Sequence, residues 1–135
     1  MAANIRFINP DALTKPPTYT QVVEVTGPGR TVYISGQLAT GRDGNLISRD
    51  FRAQALQVYE NLKAALAAVG AGFEHLVKIN NYLVDIERNM AAFREVRDGY
   101  LAASALPAST TIGVPALARP GGLFEIEAVA VVPGA

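Results

Sequence analysis

The chain of 135 residues is half hydrophobic and 18% charged, with twelve basic and twelve acidic side chains. This composition excludes a disordered or fibrous class, and it removes the net positive field that general binding to nucleic acid or an anionic membrane requires. The chain has no cysteine, which excludes disulfides and thiol catalysis and fits a reducing compartment.

The length suits a single domain over residues 1–135. Mean hydropathy is positive, and so short a chain has a high ratio of surface to volume, so part of the apolar content is expected to be buried between copies of the chain. The opening "MAANIRFINP" lacks a basic segment followed by an apolar one, and no run of about 18 apolar residues occurs. A soluble, cytoplasmic protein is expected, with no membrane partner.

In chain order, Ile5 to Ile8 is the first strand candidate, followed by the proline-rich loop "NPDALTKPPTY". "TQVVEV" and "TVYIS" flank the break "TGPGR" and predict a hairpin. "GQLATGRDGNL" is a loop with an Asp-Gly turn. From Asp50 the period becomes helical: Phe51, Ala55, Val58, Tyr59, Leu62, Ala65, Leu66 and Val69 share a face. Asp50 suits the N-cap, and Gly70 suits the C′ stop. In "HLVKINNYLV" a strand is expected with Val77, Ile79 and Leu83 on one face and Tyr82 and Val84 on the other. Asp85 is placed to cap a second helix whose inner face carries Met90, Phe93, Val96 and Tyr100. Pro107 ends that region, and "STTIGV" and "LFEIEAVAVV" are strands joined by "PALARPGG". The order implies an α+β fold in which a mixed sheet carries both helices on one face. The other face is then left for copies of the chain to cover.

The last strand carries the sharpest chemical pattern. Phe124, Ile126, Ala128 and Ala130 share one face, and Glu125, Glu127, Val129 and Val131 share the other. Two glutamates so spaced lie about 7 Å apart, and in a cleft one of them could be a raised-pKa acid–base group; solvated or ion-paired glutamates are the plainer alternative. Tyr19, Thr20 and Gln21 stand where the proline loop enters a strand, which suits function or local turn bonding, the latter being the default for Thr20. Gly36, in Ser35-Gly36-Gln37, allows a close approach to a ligand, or a β-bulge, which is the default. His75 is the single histidine, so neither a Ser–His–acid arrangement nor a histidine metal site can be built. No glycine spacing forms a nucleotide cradle. In "LPASTTIG", Ser109, Thr110 and Thr111 put three hydroxyls at the mouth of a strand, with no charge among them.

The segments "YTQVVEV", "TVYISGQL", "QALQVYENLKAALAAVGAGFEHLVKINNYLVDI", "FREVRDGY" and "PASTTIGVPAL…FEIEAVAV", in this order and spacing, resemble the RidA/YjgF family of enamine/imine deaminases over nearly the whole chain. The resemblance implies a chorismate-mutase-like fold and a homotrimer with its sheets packed around the three-fold axis and clefts between subunits. It also implies hydrolysis of 2-imino or 2-enamino acids to 2-oxo acids and ammonia, without metal or cofactor. A guanidinium would hold the substrate carboxylate and a carboxylate would position water. Tyr19 matches the family's loop tyrosine, Gly36 and Gln37 its Ser-Gly-Gln, and Glu125 its water-positioning glutamate.

Two positions depart from the pattern. Active deaminases resembling this chain have Pro-Ala-Arg-Ser where this sequence has Pro107-Ala108-Ser109-Thr110, so the carboxylate-binding arginine is Ser109. Neutral hydroxyls bind a carboxylate with roughly half the strength of charge-assisted donors. The usual asparagine of the second helix is Arg97. Either Arg97 or Arg119 supplies the missing cation to a cleft containing Tyr19, Ser109, Thr110 and Glu125, or the trimer binds a small ligand without standard deaminase activity. A ribonuclease role, and hence a nucleic-acid partner, is not expected from a neutral chain with one histidine.

Overall fold

A computed structural model describes residues 4–133; residues 1–3 and 134–135, which the single-domain reading includes, lie outside it. Strands β1 (Asn4–Ile8) and β2 (Val22–Thr26) are followed by β3 (Gly29–Gln37), helix α1 (Phe51–Ala67) and β4 (Leu76–Leu83). Helix α2 (Ile86–Asp98) and strands β5 (Ala108–Gly113) and β6 (Phe124–Pro133) complete the order. The main sheet runs β3-β6-β4-β5, and β1 and β2 form a separate antiparallel ribbon. Only β4 and β5 are parallel, joined through α2, so the sheet is mixed.

The helical period of α1 fixes its buried face. Phe51, Ala55, Val58, Tyr59, Leu62 and Leu66 are buried there. Asp50 accepts a hydrogen bond from Ala53 N at 3.0 Å, a cap worth about 1 kcal/mol. At the other end Gly70 stands at φ +70°, Ala71 N donates to Leu66 O and Gly70 N to Ala67 O, the Schellman closure. From α2, Phe93 and Val96 are buried, and the Phe93 ring meets Phe124 edge-on at 5.3 Å between centroids. Both helices share one core with the inward residues Ile34, Ile79, Leu83, Ile126 and Ala128 of the sheet. Both therefore lie on one face of it, and Tyr33 on the other face is 80% exposed.

Three local expectations are corrected. The break "TGPGR" bends the chain, with Gly27 at φ +80°, but it closes no hairpin: β2 pairs along its length with β1, and β3 pairs with β6. A turn signal reports a change of direction and does not say which strand supplies the ladder. In β4 a register shift between Leu76 and Lys78 puts Leu76 into the core and leaves Val77 only half-buried, because a bulge breaks the alternation. Asp85 occupies the N-cap position of α2 at φ +50° and its side chain caps nothing; the tight passage from β4 into the helix sets this backbone. The buried polar residue of α2 is Asn89, whose Nδ2 donates to Val84 O at 2.8 Å.

Candidate functional site

The register of β6 decides where its two glutamates stand. Phe124 and Ile126 are buried against the helices, so Glu125 and Glu127 project from the opposite face. On that face Glu127 lies in register with Asn80, which is paired with Thr110, and Glu125 with Tyr82, which is paired with Ile112. β3 reaches the same rows through a bulge: Ile34 pairs with Ala128 and Gln37 with Ile126, so Ser35 and Gly36 oppose Glu127 alone.

Gly36 lies directly beneath the Glu125 carboxylate. A Cβ there would stand 1.9 Å from Glu125 Oε2 and 2.8 Å from its Cδ, so only glycine leaves the carboxylate its seat. The sequence motif Ser-Gly-Gln and the motif Phe-Glu-Ile-Glu thus meet at one point.

The two glutamates have different surroundings. Glu127 accepts hydrogen bonds from Tyr82 Oη at 2.6 Å and Asn80 Nδ2 at 3.1 Å. Among the described residues no donor reaches the Glu125 side chain. Burial, and next the neighbouring charge of Glu127, raise the Glu125 carboxyl above the usual carboxylate range. The hydrogen bond to Glu127, with some burial and the two acidic charges, raises the Tyr82 hydroxyl. A carboxyl raised by burial beside a second carboxylate is a common basis for acid–base chemistry. Lys78 Nζ donates to Thr110 Oγ1 at 3.1 Å on the same face. A cavity of about 350 Å³ beside them is lined in part by Tyr33, Ser35, Lys78, Asn80 and Glu127.

The remaining expected site residues lie elsewhere in the single chain. Ser109 is in register with buried Ile79, on the helix side of the sheet, and its Oγ accepts from Asn81 Nδ2 at 3.1 Å. Within one chain Ser109 and Glu125 therefore occupy opposite faces. Thr20 N donates to Pro107 O and Thr20 Oγ1 to Leu106 O, which brings Tyr19 beside the residues leading into β5. Gln37 Nε2 donates to Ser35 O at 3.0 Å. Arg97 donates from Nε to Asp98 Oδ1 at 3.0 Å and lies over the Phe93 ring at 5.5 Å. Arg119 stands in the loop beside Gly44, its Nη2 3.7 Å from where a Cβ of that glycine would be. Neither arginine hydrogen-bonds to Ser109 or Glu125 among the described residues. The same residues contain no group of three His, Cys, Asp or Glu side chains able to hold a metal, and no helix long and apolar enough to cross a membrane.

The family model described as Endoribonuclease L-PSP matches residues 10–132. The chain belongs to this family, known also as RidA/YjgF. Protein DfrA of Myxococcus xanthus is 40% identical over 114 residues, 84% of each chain. The 2-iminobutanoate/2-iminopropanoate deaminase of Mus musculus is 37% identical over 114 residues, 84% of this chain and 80% of that one. Among solved structures, YyfB of Yersinia pestis, described as a protein of unknown function of the conserved Rid family, superposes with a TM-score of 0.82. It is 36% identical, and the match covers 96% of this chain and 99% of that one.

Within the Rid family this chain's site has features that sequence reasoning passed over. Asn80, Tyr82 and Lys78 support Glu127 and Thr110 from β4, yet in the sequence they read as ordinary strand polarity. Their signal is the register: each projects from the same face as the glutamates, which strand parity gives once β4 and β6 are known to be neighbours. Asn81 was equally hidden. It is buried, and its Nδ2 also faces Thr110 O and Thr111 Oγ1 at 3.2 and 3.1 Å.

Proposed function

We propose that this Rid-family chain assembles as a homotrimer and hydrolyses a reactive imine or enamine in a cleft between subunits, with Glu125 as the acid–base group and no cofactor. The observation that carries this reading is the seat of Glu125: a carboxyl without a hydrogen-bond donor, over a glycine, raised by burial and by Glu127. Such a group holds its proton closer to neutrality than an ordinary glutamate. It can give that proton to the imine nitrogen while water adds to the carbon. As a carboxylate it takes one proton from the water that has added, giving the neutral carbinolamine; it then passes that proton to the amino nitrogen and takes the remaining proton from the hydroxyl, so the C–N bond breaks to leave an oxo group and ammonia. The imine carbon is already electrophilic, so positioning and one proton shuttle suffice. An inter-subunit cleft accommodates the separation of Ser109 and Glu125, since the two can meet across a boundary between chains.

The preferred substrate is one that does not depend on a carboxylate clamp at the Ser109 position. Ser109 is held by Asn81, Arg97 by Asp98 and Phe93, and Arg119 lies in a different loop. The same observations favour, as the second reading, a ligand-binding trimer without deaminase activity. Following 2-iminopropanoate loss with a coupled generator distinguishes the two. Weak wild-type turnover, strongly raised in Ser109→Arg and abolished when Glu125→Gln is added, supports the deaminase reading. Inert wild type and inert Ser109→Arg, both folded and trimeric, support the ligand-binding reading. Strong wild-type turnover lost in Arg97→Ala would instead make Arg97 the clamp.

A further inference from the structure

The loop that leads into α1 and the loop between β5 and β6 hold a charged cavity that the deaminase reading does not use. It measures about 420 Å³ and is lined by Asn45, Leu46, Ser48, Arg49, Arg119 and Pro120. From this geometry we infer a phosphoryl-binding site between Arg49 and Arg119, separate from the residues around Glu125.

The two arginines are its only charged lining residues. Neither forms an ion pair among the described residues. The acids nearby in sequence are engaged: Asp43 accepts from Asn45 N and Nδ2, and Asp50 accepts from Ala53 N. Two guanidinium groups outside any ion pair match a dianion, and their planar forks match the oxygens of a phosphoryl group. Ser48 Oγ accepts from Asp50 N at 3.0 Å, and its own hydrogen has no acceptor among the described residues, which leaves a donor for a phosphoryl oxygen.

The walls are held before any ligand arrives. Buried Gln54 donates from Nε2 to Ser48 O and to Gly121 O, both at 2.9 Å, and its Oε1 accepts from Leu123 N at 2.8 Å. One side chain thus ties the segment carrying Arg49 to the segment carrying Arg119. The guanidinium of Arg49 lies along the backbone at Gly121, with Nη1 3.2 Å from where a Cβ would be. Fixed walls reduce the ordering cost of binding.

The test is calorimetric titration of the full chain with inorganic phosphate, with methyl phosphate, and with malonate as a dianion lacking phosphorus. Saturable binding of either phosphate at one site per chain is expected, and the tighter of the two tells whether a free anion or an ester is the natural ligand. Arg49→Ala and Arg119→Ala should each weaken it at least tenfold with unchanged melting temperature, while Arg94→Ala on exposed α2 leaves it intact. The proposal fails if neither phosphate saturates, if malonate binds as tightly, or if Arg94→Ala weakens binding as much as the cavity variants. It fails equally if both cavity variants bind like wild type. Arg49→Lys keeps the charge and loses the fork, so an affinity between wild type and Arg49→Ala is expected; wild-type affinity would reject the bidentate geometry.

Discussion

Glu125 has a raised pKa because folding removes water and adds the charge of Glu127 without supplying a donor. Its folded pKa therefore exceeds the unfolded value of about 4.3, and folding favours the protonated form. That contribution is complete below the unfolded pKa and is lost as pH rises through the folded one. Glu125→Gln does not titrate. Its stability relative to wild type should therefore increase as pH rises from the unfolded pKa of about 4.3 through the raised folded one, a trend that urea unfolding at several pH values would reveal. Parallel stability curves would show that the carboxyl is not raised. Gly36 offers a second test of the same seat. In Gly36→Ala the new methyl collides with the end of a flexible side chain, so Glu125 swings away and the fold loses no more than about 1 kcal/mol. The Glu125 carboxyl titration, followed by carbon NMR, should move toward the ordinary range. An unmoved titration would mean the carboxylate does not stand on Gly36.

At the scale of elements, α1 shows what the sequence discloses and what it hides. Its apolar face, Asp50 cap and Gly70 stop follow from local pattern, because each depends on residues within a turn or two. Gln54 lies on the same inner face, three residues after Phe51, yet an apolar pattern passes over it. Its purpose is set by Ser48, Gly121 and Leu123, the last two far along the chain. The separation of Ser109 from Glu125 was hidden for a related reason: parity orders residues within a strand, but the face it assigns depends on which strand is the neighbour. The β2–β3 hairpin expectation failed on the same point. Glu125 was legible as a candidate from strand parity together with the family motif, and Gly36 from its place in Ser-Gly-Gln, where a bulge or a close approach was expected. Gln54→Leu should cost about 3 kcal/mol in urea unfolding, since two carbonyls and one N–H lose their partner in a buried place. Tyr59 is the opposite case. Its hydroxyl is buried without a hydrogen-bond partner, and burial raises its pKa. Tyr59→Phe removes an unsatisfied group while keeping the ring stack on Tyr100 at 5.0 Å. It should match or exceed wild-type stability, by up to about 1 kcal/mol. A loss of stability would reveal a partner for that hydroxyl.

At the scale of the whole molecule, the helices cover one face of the sheet, and nothing among the described residues covers the other to the same degree. Tyr33 is 80% exposed and Ile112 44%, on the face that also carries Glu125. An aromatic side chain left so open forgoes about 1.5–3 kcal/mol that burial would supply, and threefold assembly multiplies the gain by the number of copies. The proposed cleft depends on the same assembly, because Ser109 and Glu125 can meet only across chains. The wild type should therefore run at three chain masses in light scattering. Tyr33→Glu places a charge where a sheet face would be buried, a cost of several kcal/mol when unpaired. It should lower the mass toward that of one chain and abolish imine hydrolysis. α1, α2 and their core stay intact, so its helical circular dichroism should match the wild type. A monomeric wild type would remove the cleft, and a monomeric Tyr33→Glu that still turns over would place the whole reaction within one chain.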